Sequence, residues 1–419
     1  MVDADGLNQI SPEHLLTLYH ITLTMNSSLD FDEVLNIVMD TVMQVMKAQR
    51  GVLMVADEQE QLHAVVTRGE AEDSEALYSR TIINEVMRTR QSLLTNNAQF
   101  DQRYKPGESI ILRGLRAILC APMLVKGRLV GAIYCDTSLR HGIFTESDLR
   151  LLDAVAGQAG IAIENARLYR VAVEKGRLER ELQMAREIQE SLLPRHKPQV
   201  PGYEVAARWR SAREVAGDFY DFFQLSSEAM GVVIADVSDK GAPAALFMAS
   251  ARSMIRSHAF AGLEPLEALM RTNHLLLDDS EGGMFVTVYY SQFRQDGMSL
   301  HINAGHNPPL VYQRSADRLY ALPNGGRAFG WFEDNPLRAV DVQLSPGDMI
   351  IYYTDGLTDA ENANGECYGT DRMAQIVYET RGQSAEMVLS RLVDSVDSFC
   401  GDAPVFDDLT LVVIRYTGE

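Results

Sequence analysis

Three apolar runs in the second half of this 419-residue chain each carry an acidic residue at one end, and that pattern constrains the fold most. GVVIADVSDKG (231–241) holds Asp236 near its close, DMIIYYTDGL (348–357) holds Asp355, and Asp407 and Asp408 precede LTLVVIRY (409–416). A fourth acid, Asp218, sits in EVAGDFYDFF. Short apolar runs of this kind read as buried strands. A carboxylate at the end of a buried strand is costly on its own. Several of them at strand ends can share one rim, and a cluster of that kind repels itself unless cations occupy it.

The candidate donors are all oxygens, with no Cys or His cluster beside them. Oxygen-only sites select Mg²⁺ or Mn²⁺ over Zn²⁺. Two such cations can acidify a shared water and hold phosphate oxygens for in-line attack, which is a hydrolase without a protein nucleophile. The cysteines agree with this. A cysteine phosphatase needs its thiolate six residues before an arginine. The residues six beyond Cys120, Cys135, Cys367 and Cys400 are Lys126, His141, Met373 and Phe406. No CxxC pair is present, so the four read as reduced thiols.

A formal net charge of −20 argues against nucleic acid as a partner. No apolar signal core opens the chain and no run approaches 18 apolar residues, so the expected location is cytoplasmic, with no membrane span.

Along the chain, 12–48 reads as helix, with Pro12 after Ser11 at its start. GVLMVAD (51–57) and LHAVVTRG (62–69) read as strands, and 116–138 as a hairpin turning at Lys126-Gly127. From Phe144 the pattern is helical again and runs to Pro194. Val171, Leu178, Leu182, Ala185 and Leu192 form an imperfect heptad seam, interrupted at Lys175 and Gln189 and weakened by Gly176. The expectation is a dimeric coiled coil, against a helix packed on its own domain. After PRHKPQVPG (194–202) strands dominate, with helices near 242–259, 264–279 and 383–399, which indicates an α+β sandwich.

Residues 12–168 resemble a GAF domain, through GVLMVAD, CAPMLVKGRLVGAIYCD and FTESDLRLLDAVAGQAGIAIENARLY. That implies a sensory domain for a small-molecule or protein signal of unknown identity. The Asn-Lys-Phe-Asp-Glu pattern of the cyclic-nucleotide members is missing. Cys120, on an apolar strand, reads as a buried structural thiol.

From about 200 to 417, GDFYD, ADVSDKG, YTDGL and DDLTLVV, in this order, resemble the PPM family of protein phosphatases, closest to its stage II sporulation E and RsbU branch. NAGHNPPL (303–310) and AREIQESLLP (185–194) match that branch too. The resemblance implies an α/β/β/α sandwich in 195–419, joined by a helical linker, 169–194, to the GAF domain. It implies two divalent cations, Mn²⁺ or Mg²⁺. Asp236 would bridge them beside the main-chain carbonyl of Val237, where many members carry glycine. Asp355 and Asp407 would complete the set, and Asp218 would act directly or through a water.

Asp239 reads as an N-cap for the helix near Ala242 in preference to a ligand, and Asp221 as a solvated or ligand-supporting acid. His306 is either a loop-ordering residue or a general acid, and His258 is structural or exposed. Arg213 has no assigned role. Asp408 is a supporting partner or a ligand in a shifted register. The implied activity is hydrolysis of phosphoserine or phosphothreonine on a protein, of the anti-anti-sigma (STAS) type. The rival is a catalytically inactive scaffold that binds a phosphoprotein. A nucleotide cyclase would need purine-recognising and transition-state pairs that cannot be placed.

Overall fold

The computed structural model describes residues 12–25, 27–69, 78–96, 116–138, 143–279 and 283–418. Contacts divide the chain into two compact units, Met1–Arg177 and Leu178–Glu419. Ser11 lies outside the described residues.

The first unit opens with two helices where one was expected, α1 (Pro12–Met25) and α2 (Phe31–Met46). Asp30 explains the break. Its backbone is extended, and its side chain accepts the Glu33 N–H at 2.9 Å, so a new helix starts there. Strands β1 (Arg50–Ala56), β2 (Leu62–Arg68), β3 (Leu93–Thr95), β4 (Arg116–Val125) and β5 (Arg128–Ser138) form an antiparallel sheet in the order β2-β1-β5-β4-β3. Lys126 and Gly127 both have positive φ, the signature of the type I′ turn that joins β4 to β5.

Strand alternation gives this sheet two buried faces. Leu53, Leu119, Ala121 and Ile133 join Val38 and Val42 of α2, and Val155, Ala159 and Ile163 of α4 (Glu146–Leu192). Val52, Met54, Ile118 and Cys120 pack instead on Ile82 and Val86 of α3 (Arg80–Thr89), a helix the periodicity did not reveal. Burial pushes the Cys120 thiol up to about 12, which keeps it protonated and inert.

Helix α4 is continuous for 47 residues. A capping box opens it. The Thr145 N–H donates to Asp148 at 2.8 Å, and the Asp148 N–H to the Thr145 hydroxyl at 3.3 Å. Near its end, Gln189 is buried and exchanges hydrogen bonds with the backbone of Ala216 (2.7 and 2.9 Å). That anchors the AREIQESLLP segment to the loop bearing Asp218. Among the described residues no helix is long and apolar enough to cross a membrane.

The second unit is an α/β/β/α sandwich. One antiparallel sheet has the order β13-β10-β9-β8-β7, and the other β12-β11-β14-β15-β6. The strands are β6 (Tyr203–Arg210), β7 (Phe219–Gln224), β8 (Ala229–Val237), β9 (Val286–Arg294), β10 (Met298–Ala304), β11 (Leu310–Gln313), β12 (Arg318–Ala321), β13 (Ala339–Gln343), β14 (Met349–Tyr353) and β15 (Leu409–Tyr416). Val232, Ile234, Tyr289 and Phe293 meet Ile350, Tyr352, Val412 and Ile414 between the sheets. Helices α5 (Ala242–Phe260) and α6 (Pro265–Asp279) cover the first sheet. Helices α8 (Gly369–Glu379) and α9 (Ala385–Cys400) cover the second, and α7 (Asp355–Thr358) is a single turn at the end of β14.

Candidate metal centre

The candidate acids gather where β7, β8, β14 and β15 begin or end. Asp218 directly precedes β7 and is buried. It reaches across to the other sheet, where the hydroxyls of Thr354 and Thr410 donate to its Oδ2 at 2.6 and 2.9 Å. Burial, then the charges of Asp236 and Asp408, push its carboxyl well above the usual carboxylate range. Burial and the neighbouring Asp355 push Asp236 up to about 7, with the Asp218 carboxyl hydrogen-bonded to it. Asp355, at the first position of α7, is raised by burial and by Asp407. Burial is the largest cause of each shift, and repulsion between the neighbouring carboxylates adds to it.

Asp407 is turned to a cation the sequence reading did not single out. Its Oδ2 lies 2.9 Å from Lys240 Nζ, which also donates to the Phe406 carbonyl at 2.6 Å. Asp408 plays a different part from its neighbour. It accepts the N–H groups of Ala212 and Gly217, both at 2.8 Å, and so fixes the loop that presents Asp218. The Val237 carbonyl faces that loop as well. A Cβ on Gly217 would come within 3.1 Å of it, so glycine at 217 leaves the carbonyl approachable. At Gly356 a Cβ would strike the Asp408 carbonyl at 1.9 Å, which accounts for the glycine after Asp355.

Among the described residues, no three His, Cys, Asp or Glu side chains close around one point at metal distance. Asp407 is drawn to Lys240, and Asp218 is held by two threonines. The chemistry of the donor set nonetheless suits hard divalent cations. It is all oxygen and it comes from the strand ends of both sheets.

The remaining candidates separate clearly. His306 is buried, and burial pushes it down to about 3, so the ring is neutral. Its Nδ1 meets the Thr287 hydroxyl at 2.8 Å, and that hydroxyl lies 3.2 Å from the Asp236 carbonyl. His306 also bonds its own loop, with the Asn303 side chain binding both its N–H and its carbonyl. The loop-ordering role fits these contacts. Asp239 does not cap α5: the N-cap is Gly241, and Asp239 occupies the preceding turn at φ 80°. Asp221 is fully buried and paired with Arg252 (2.8 Å) and Arg256 (2.9 Å) of α5, contrary to the solvated alternative. His258 joins α5 to α6 through the Thr272 hydroxyl at 3.0 Å. Arg213 is exposed, and its carbonyl accepts the Ser211 hydroxyl.

A cleft of about 370 Å³ opens beside the acids. Asp407, Gly356, Asp359, Arg210, Cys400 and Phe406 contribute to its walls. Reasoning from sequence missed Lys240, Thr354 and Thr410. The two threonines stand inside the motifs YTDGL and DDLTLVV, and only the pairing of β14 with β15 aims both at Asp218.

Comparison with known proteins agrees with this architecture. The family described as Stage II sporulation protein E (SpoIIE) matches residues 226–417, a stretch that contains Asp236, Asp355 and Asp407 and begins after Asp218. The GAF domain family matches 28–164. "Phosphoserine phosphatase RsbU" of Bacillus subtilis (strain 168) is 28% identical over 279 residues, covering 66% of this chain and 81% of that protein. "Phosphoserine phosphatase RsbP" of the same organism is 26% identical over 196 residues, covering 45% of this chain and 47% of that one. The solved SiaA-PP2C domain of Pseudomonas aeruginosa superposes with a TM-score of 0.52 at 21% identity, covering 58% of this chain and 99% of that domain, and so shares the fold. These matches show that the chain carries a GAF domain over residues 28–164 ahead of a domain of the SpoIIE/RsbU type over residues 226–417.

Proposed function

We propose that the chain hydrolyses phosphoserine or phosphothreonine on a protein partner of the STAS type, in the cytoplasm, under control of the GAF domain. What supports this reading is that Asp218, Asp236, Asp355 and Asp407 stand at the ends of strands of both sheets, near enough for Asp236 to feel the charges of Asp355 and Asp407. Two bound Mn²⁺ or Mg²⁺ ions would lower the pKa of a water and stabilise charge at phosphorus. The residues to hold them are these four carboxylates and the Val237 carbonyl. Thr354 and Thr410 orient Asp218, and Asp408 fixes its loop. His306, neutral and buried, orders the Asp236 strand end through Thr287.

The helix α4 supports both coupling and dimerisation. It is unbroken from Glu146 to Leu192, and two seam residues, Val171 and Leu178, are 58% and 55% exposed in the single chain. A second copy would bury them. The whole phosphatase unit extends over 195–419, the linker over 169–194 and the sensory unit over 12–168 in this reading. A chain cut to 195–419 should show altered turnover or lose its response to signal. Unchanged turnover and response would refute the coupling.

One observation favours the scaffold alternative, namely the ion pair of Lys240 with Asp407, which occupies a proposed ligand. Phosphate release in Mn²⁺ and in EDTA separates the two readings.

A further inference from the structure

Against Phe285, just before β9, the chain exposes two consecutive aromatic residues. Trp331 is 58% exposed and Phe332 40%. Scattered exposed apolar residues are ordinary. These two are stacked, with ring centroids 5.9 Å apart and planes 13° apart, and Trp331 also packs on Phe285 at 4.5 Å. The Arg327 guanidinium lies over the face of Phe332, 4.9 Å from its centroid.

The surrounding structure holds the pair outward. The buried Asn273 of α6 donates to the Phe332 carbonyl at 2.9 Å and accepts the Gly330 N–H at 3.1 Å. Phe329 is buried and exchanges both backbone hydrogen bonds with Val286 (2.9 and 2.8 Å). Asn335 clamps Arg327 through its N–H and its carbonyl (2.9 and 2.6 Å). Gly330, at φ 84°, lets the chain turn where a Cβ would meet the Met284 carbonyl and the Phe247 ring at 3.2 Å. Burying a large apolar side chain is favourable. A tethered loop that forgoes this for two neighbouring rings is built to meet something else.

Its position indicates what. Phe285, beneath Trp331, exchanges hydrogen bonds with Ser238 (both 2.9 Å), two residues after Asp236. Thr287, two residues after Phe285, pairs in register with Asp236 itself. The platform therefore grows from the same end of β8 and β9 as Asp236. A small phosphate ester would need no contact with it, whereas a protein presenting a phosphorylated residue at the Asp236 strand end would extend over it. Exposed Trp in a rigid setting is the residue type that dominates protein contacts.

We infer that Trp331 and Phe332 form a docking platform for apolar side chains of the phosphorylated protein substrate, next to its phosphoserine. This rests on the reading that the chain is a protein phosphatase. The test compares full-length wild type, Trp331→Ala and Trp331→Phe in Mn²⁺ on two probes, p-nitrophenyl phosphate and a serine-phosphorylated STAS-domain protein. Trp331→Ala should lower kcat/KM on the phosphoprotein about tenfold, mainly through KM, with aryl phosphate turnover within about twofold of wild type. Trp331→Phe should recover most of the loss.

Equal phosphoprotein kinetics in wild type and Trp331→Ala would overturn the platform alone. So would equal losses on both probes. A change of oligomeric state with unchanged KM would assign the surface to a second copy and also overturn it. If wild type fails on the phosphoprotein, the phosphatase reading fails for this substrate class and the platform falls with it.

Discussion

Lys240 Nζ lies 2.9 Å from Asp407 Oδ2, so a cation of the protein itself stands at one of the acids proposed to hold a metal. Both side chains are about two-fifths exposed, at 38% and 41%. A pair so placed is worth at most about 1 kcal/mol. On the proposed reading Lys240 is a weak competitor that a bound divalent ion would displace. Lys240→Met should tighten Mn²⁺ binding about two- to fivefold, read by calorimetric titration. Weaker binding would mean that Lys240 supports the site.

Asp408 holds two backbone N–H groups of the loop before Asp218, and bonds to a charged acceptor are worth about 1.5–3 kcal/mol each. Asp408→Ala should cost about 2–4 kcal/mol and lower the unfolding midpoint of the phosphatase unit by about 5–10 °C. Asp408→Asn, which keeps one acceptor, should cost less. An unchanged midpoint in Asp408→Ala would show that the loop holds its shape without this residue.

Between the two sheets His301 accepts or donates at both ring nitrogens, to the Ser291 and Ser299 hydroxyls at 2.9 Å each, while Tyr352 donates to Ser291 at 2.8 Å. Burial pushes its pKa down to about 3. The unfolded chain binds a proton near pH 6.5 and the folded one does not. The stability this group contributes is thus full above pH 6.5 and is lost as pH falls toward 3. The stability difference between wild type and His301→Gln should shrink by about 2 kcal/mol from pH 7 to pH 5, measured by urea titration. A constant difference would mean that His301 titrates normally.

The strand-end acids were legible because each interrupts an apolar run, and a local pattern exposes that conflict. Order along the chain also carried the sandwich. What escaped depends on distant partners. Asp221 resembles any solvated acid until α5 brings Arg252 and Arg256 onto it, 31 and 35 residues further on. Asp239 was misread because a residue near a helix start resembles a cap, whereas the turn gives the N-cap position to Gly241. The break before α2 was hidden by apolar spacing that runs on through Asp30, whose capping bond decides the matter locally. Lys240 carried no signal at all, because its partner lies 167 residues away.

The most direct measurement is phosphate release from a serine-phosphorylated STAS-domain protein by wild type and Asp236→Asn, each in Mn²⁺ and in EDTA. The account predicts turnover by wild type in Mn²⁺, none in EDTA, and a loss on the order of 100-fold or more in Asp236→Asn. Turnover that survives EDTA, or an Asp236→Asn chain as active as wild type, would contradict a metal centre built on these acids.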